Sequence, residues 1–297
     1  MGGSFVTPIR TRLAFLAGFV ALAMLAGPAV PESQAQSRIV PERTASSDRV
    51  GTAVAVAEAY WDNSSDVLLA DAGNFPDALA GGALAASLDA PLLVTDSDTL
   101  DDRVGAEIRR LGAARVHVLG GPGAISDQVA EQLGDLGVEV VRISGEDRYT
   151  TAALVAEQAG TSTRSGDVVV ALGAAAVPSR AWPDALSSGA FAATDDRPPL
   201  LLLTGDDVPR ATRDALEELL KSDGTLHLIG GPGVVSDAVQ ADLEQLGRPV
   251  NRIAGRSRYE TSLEVATAVL RRTPTDARPL IDASGNNFPD GLYYFQC

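Results

Sequence analysis

Cysteine is almost missing from this chain. The single one, Cys297, is the last residue, so no disulfide can close within the chain and no Cys-rich zinc site can be built. Two histidines leave little room for a His-based metal centre, so no metal is expected, nor any cofactor. Lysine is as scarce: Lys221 stands alone among 24 bases, which puts nearly all the positive charge on arginine. Bases are also outnumbered by 39 acids, for a formal net charge of −15, and this argues against nucleic acid as a partner. What remains is ordinary: 297 residues, 45% apolar and 21% charged, proportions that exclude a disordered or collagen-like chain and allow two domains with cores of their own.

One long apolar run is present, at residues 13–27. Arg10 and Arg12 precede it, and Ser33-Gln34-Ala35 follows as a small-residue site. A basic start, a short apolar stretch and a small-x-Ala end are the marks of a secretory signal peptide, read here as residues 1–35. A membrane span needs roughly 20 apolar residues, so no stable span is expected after cleavage. Losing Arg10, Arg12 and Glu32 takes the net charge from −15 to −16. The expected product is exported and acidic.

The chain repeats itself. RISGEDRYTTA, starting at Arg142, returns as RIAGRSRYETS at Arg252, with a fainter copy, RTASSDRVGTA, at Arg43. Each copy pairs two arginines: Arg43 with Arg49, Arg142 with Arg148, Arg252 with Arg258. Each then carries a threonine in the same place, at Thr52, Thr151 and Thr261. A second motif, GNFPDALAGG, is echoed by AWPDALSSG and NNFPDGL, so that Asp77, Asp184 and Asp290 correspond. A third, GGPG, occupies 120–123 and 230–233, beginning with Gly120-Gly121 and Gly230-Gly231. The repeats divide the chain into residues 36–138, 139–249 and 250–297. The last lacks a second half and ends in an aromatic tail unlike the other copies, which reads as a truncated third unit; no role is assigned to Cys297.

Short Val/Leu runs bounded by Gly, Pro and Asp alternate with helical stretches, at 76–87, 102–111, 126–136 and 150–159 from the first unit into the second. That alternation predicts an α/β fold of tandem, Rossmann-like open parallel sheets covered on both faces. All-α and all-β readings are disfavoured.

Taken together, R-I-x-G-x-x-R-Y-x-T, F/W-P-D-A-L, P-L-L-x-T and G-G-P-G-x-x-S resemble the cell wall-binding repeat type 2 family of Gram-positive surface proteins, over residues 43–292. The resemblance implies three open α/β units around a pseudo-threefold axis. It also implies a secreted, non-catalytic protein at the cell surface, bound non-covalently to an anionic wall polysaccharide or teichoic-type polymer, with its repeats packed on one another.

Under that implication, the arginines at 43, 49, 142, 148, 252 and 258 are candidate polymer contacts, since a guanidinium fork suits phosphate and carboxylate oxygens. Contacts between units are the structural alternative for Arg148 and Arg258. Asp77, Asp184 and Asp290 read as helix-start acids next to a first-turn proline. The GGPG loops read as tight turns entering helices capped by Ser126 and Ser236, and as candidates for one lip of a ligand groove. His117 and His227 read as repeated structural residues. No nucleophile–base pair recurs, so enzyme activity is not expected. Two rival functions remain open: a wall-active hydrolase using Asp77, Asp184 or Asp96, and a surface-layer protein whose repeats bind one another.

Overall fold

Val, Leu and Ile dominate the strand positions of the sequence, and these residues form the centres of two parallel sheets. The computed structural model describes residues 44–73, 76–174 and 182–272. These all belong to one body that begins at Arg43. The elements run α1 (Arg49–Tyr60), β1 (Asp66–Asp71), α2 (Pro76–Leu79), α3 (Gly81–Leu88), β2 (Leu92–Thr95), α4 (Asp102–Leu111), β3 (Arg115–Leu119), α5 (Asp127–Asp135) and β4 (Glu139–Ile143). The second series is α6 (Arg148–Gly160), β5 (Val168–Leu172), α7 (Pro183–Ala192), β6 (Leu200–Leu203), α8 (Arg210–Leu219), β7 (Leu226–Ile229), α9 (Asp237–Glu244), β8 (Val250–Ile253) and α10 (Arg258–Arg272).

The strand orders are β2-β1-β3-β4 and β6-β5-β7-β8, parallel throughout. The tandem α/β architecture is therefore as the repeats imply. Every residue of β1 and β5 is buried, as in strands covered on both faces. In each sheet the chain winds outward from the first strand and then crosses to its other side. The point of reversal lies between β1 and β3, and between β5 and β7. Ligands of open α/β sheets bind at the C-terminal strand ends beside such a reversal.

One expectation is corrected. The helix foreseen at 76–87 is divided into α2 and α3, with Gly81-Gly82 at the joint. Glycine pairs disrupt helix continuity, and α3 lies so close to the sheet that a Cβ on Gly81 would come within 3.0 Å of Leu92. In unit two the matching residues are Ser188-Gly189, and α7 is continuous. Hydroxyls there reinforce it: Ser187 donates to the Pro183 carbonyl at 2.9 Å and Ser188 to that of Asp184 at 2.7 Å.

The divisions at 138/139 and 249/250 fall just before the last strand of each sheet. β4 pairs with β3, and β8 with β7, so each closes the preceding sheet. The repeated arginine motif begins on that last strand and ends in a helix that serves the next sheet. Helix α6 shows how: Ala152, Val155 and Ala159 join the core that includes α3 and the first sheet, whereas Ala153 and Ala156 join the outer core of the second. Only small side chains let one helix approach both. Arg197 Nη1 adds a bond across the joint to the Ser87 carbonyl at 2.9 Å. Helix α10 packs on α7 as α6 packs on α3. The signal segment, Arg43, Asp290 and Cys297 lie outside the described residues.

Because α6 is gripped on two sides, Ala156→Leu is expected to cost about 1–3 kcal/mol by overpacking. Urea denaturation would measure it. Leu154→Ala, on the solvent side of the same helix at 38% exposure, should change stability by less than about 0.5 kcal/mol.

Candidate functional site

The three repeated motifs meet at the C-terminal ends of the strands, where the winding reverses. In unit one a cleft of about 290 Å³ is lined by Asp77, Gly121, Gly123, Ala124, the segment from Gly145 to Arg148, and Thr151. The Phe-Pro-Asp motif thus contributes its carboxylate, the Gly-rich loop one wall, and the arginine motif the other.

The Gly-rich wall is held by arginine. Arg142, on β4, directs Nη1 at the carbonyls of Gly120 at 3.0 Å and Ile125 at 2.8 Å. Arg252 repeats this on β8, reaching Gly230 at 2.8 Å and Val235 at 2.9 Å, and its Nε donates to Gln240 Oε1 at 2.7 Å. These arginines, candidates for polymer contact, clamp their own loops. Within each loop the amides turn inward: those of Ala124 and Ile125 bond the Gly121 carbonyl, at 2.9 and 3.0 Å. A phosphate cradle needs amides aimed outward, so the tight turn accounts for the loop better. Ser126 and Ser236 cap α5 and α9 as expected, accepting from Val129 N at 3.4 Å and Val239 N at 3.3 Å.

The first glycine of the loop has two reasons to be glycine. Gly120 has φ +100° and Gly230 φ +120°, in the region L side chains rarely enter. A Cβ there would also stand 2.6 Å from Asp77 Oδ2, or 2.8 Å from Asp184 Oδ2. The carboxylates therefore occupy space that the missing side chains leave. They do lie in the first helical turn, but they face across the cleft rather than capping their own helix; the N-cap of α7 is Trp182. Burial pushes Asp77 up, against a hydrogen bond from Thr151 and the charge of Arg148. Burial pushes Asp184 up further, to about 6, opposed by Arg258.

Arg148 opens α6 and sends Nη1 to the carbonyl of Gly173, just past β5, at 3.0 Å. It does cross between units, as one reading required, but its partner there is a backbone carbonyl and not an acid. Arg49 repeats this contact with the carbonyl of Ala72, just past β1. Arg258 lies over the Trp182 ring, 5.5 Å from its centre.

The site list drawn from sequence passed over the threonines. Thr151 Oγ1 accepts from Gly145 N at 3.0 Å, Thr261 from Gly255 N at 3.0 Å, and Thr52 from Ser46 N at 3.2 Å. This bond folds the strand end back onto the helix start and shapes the second wall. Its signal was present: a small residue six places before each repeated threonine. The histidines are remote from the cleft and buried beside acids, His117 Nε2 at 2.8 Å from Asp66 Oδ1 and His227 Nε2 at 3.2 Å from Asp167 Oδ2. Burial acts to raise Asp66, but hydrogen bonds from Arg115, His117 and Ser65 outweigh it and hold the carboxyl at about 2. Among the described residues no group of acids, histidines or cysteines is arranged to hold a metal ion.

Two outcomes are expected. Gly120→Ala should lose about 1–3 kcal/mol by thermal melting, and part of this should return when Asp77→Ala is added. Asp184 binds its proton more tightly folded than unfolded, so the stability it confers falls as pH rises from about 4 to about 6. Asp184→Asn should match the parent near pH 4 and exceed it above pH 6, by up to about 3 kcal/mol; equal melting curves across that range would refute this origin of the shift.

Comparison with known proteins places this arrangement. The model of cell wall binding domain 2 (CWB2) matches residues 43–130 and 142–240. The chain is 27% identical over 263 residues to N-acetylmuramoyl-L-alanine amidase LytC of Bacillus subtilis (strain 168), covering 89% of this chain and 49% of that protein. It is 29% identical over 253 residues to the amidase enhancer of the same organism, covering 85% of this chain and 32% of that one. The chain thus spans about half the length of the first relative and about a third of the second. Among solved structures, Cwp6 from Clostridium difficile superposes with a TM-score of 0.74 at 24% identity, covering 88% of this chain and 42% of that one, a likeness of fold. Cwp8 from the same organism gives 0.64 at 27% identity, over 75% of this chain and 36% of that one. With two matched repeats spanning more than half of its length, the chain belongs to the cell wall binding domain 2 family.

Proposed function

We propose that this chain is an exported, non-catalytic anchor that holds to the bacterial cell wall by binding an anionic wall polymer. The observation that carries this reading is the convergence of all three repeated motifs on one cleft at the reversal point of a sheet, in a chain of the wall-binding family. Arg148 lines that cleft and Arg258 opens the corresponding helix of unit two, so these two are assigned to the polymer. Arg142 and Arg252 act one step back by holding the loop wall, and Arg49 by tying its helix to a strand end. Arg43 is retained as a candidate contact on the repeat alone.

The basic, apolar and small-residue sequence at 1–35 supports export through a cleaved signal peptide. No helix among the described residues is long and apolar enough to cross a membrane. The absence of a recurring nucleophile–base pair supports binding without turnover.

The test is sedimentation of the purified chain with isolated Gram-positive walls. Binding is expected to weaken as salt rises, because exposed charges more than about 10 Å apart are screened at 0.1 M salt, and to disappear once the anionic polymers are stripped. No soluble wall fragments should be released. Undiminished binding to stripped walls would refute the anionic ligand, and fragment release would favour a hydrolase.

A further inference from the structure

The cleft of unit one and the matching motifs of unit two share a plan but not a charge. Along the wall that runs from the last strand into the following helix, unit one reads Gly145-Glu146-Asp147-Arg148-Tyr149-Thr150-Thr151. Unit two reads Gly255-Arg256-Ser257-Arg258-Tyr259-Glu260-Thr261. Two acids and one base in the first stand against two bases and one acid in the second. A further difference lies at the strand ends: β1 finishes in Asp71, and β5 in Leu172 at the matching register. The facing GGPG loops are identical and uncharged, so nothing there offsets the asymmetry.

We propose that the anionic segment of the ligand is held chiefly by the matching wall of unit two, on Arg256 and Arg258, and more weakly by the acid-rich cleft of unit one, where Arg148 is its contact. This rests on the reading of the chain as a polymer-binding anchor. The side chain of Arg256 is 92% exposed, and its ion pair with Glu260, at 3.3 Å, is a surface contact of the kind that contributes little. It can exchange that partner for a phosphate or carboxylate of the polymer at small cost. Arg258 is steadied from one side by the Trp182 ring. In unit one the counterpart of Arg256 is the exposed carboxylate Glu146.

The test is titration of immobilised polyglycerol phosphate with the purified chain at low and moderate salt. Arg256→Glu is expected to weaken binding about tenfold and to flatten its salt dependence, whereas Glu146→Arg should strengthen it about threefold. Both positions are exposed, and matching circular dichroism and melting curves would confirm intact folds. Parent-like binding by Arg256→Glu overturns the assignment to unit two, and parent-like binding by Glu146→Arg overturns the weaker hold of unit one. If the parent chain itself fails to bind the polymer at any salt, the anchor reading falls, and this inference with it.

Discussion

A guanidinium closing on backbone carbonyls at the end of a strand is the contact on which this molecule depends. Arg142 and Arg252 each gather two carbonyls of a Gly-rich loop, and Arg148 reaches a third kind, at the end of the neighbouring sheet's first strand. Carbonyls at such turns have no ladder partner, and leaving them buried and unbonded would be costly. Arginine supplies several donors in one rigid plane and stays charged at any relevant pH. Both loop carbonyls accept from one Nη1, and the other nitrogens of the plane reach further, to the Ser126 carbonyl from Arg142 and to Gln240 and the Ser236 carbonyl from Arg252, a spread that the single ammonium of lysine does not offer. The near-absence of lysine from the sequence is consistent with that demand.

Once the loop is fixed, the remainder of the cleft follows. The loop's first glycine, with its positive φ and missing Cβ, leaves room for an aspartate from the facing helix. The aspartate is then shielded from water, which raises its proton affinity, and Thr151 or a nearby arginine partly compensates. Arginine, glycine, aspartate and threonine therefore recur together because each makes room for or satisfies the next. Their joint recurrence is a property of the wall of the cleft, and the charged residues between them vary from one unit to the next.

Most of this was legible in sequence where the physics is local. Buried strands announce themselves as Val/Leu runs, and the α4 span at 102–111 could be read from helical spacing to the residue. Ser126 and Ser236 declared their capping role by standing before an acid at a helix start. What escaped was whatever depends on a partner distant in the chain. Nothing in Arg142 says that its fork is spent on the loop at 120–126 rather than on solvent anions. The division at 138/139 followed the repeat, but the hydrogen bonds of β4 to β3 assign that strand to the sheet before it. The split of α2 from α3 arises from contact with the sheet, which only the fold reveals.

The offset between sequence repeat and folded unit bears on how such chains grow. The second copied segment opens with the strand that completes the first sheet and continues into the helix that seats the second. A tandem gene duplication of that segment would therefore deliver a plug and a socket in a single event, already matched because they descend from the same parent joint. Array length can evolve by simple recombination, while the shape of each junction is inherited.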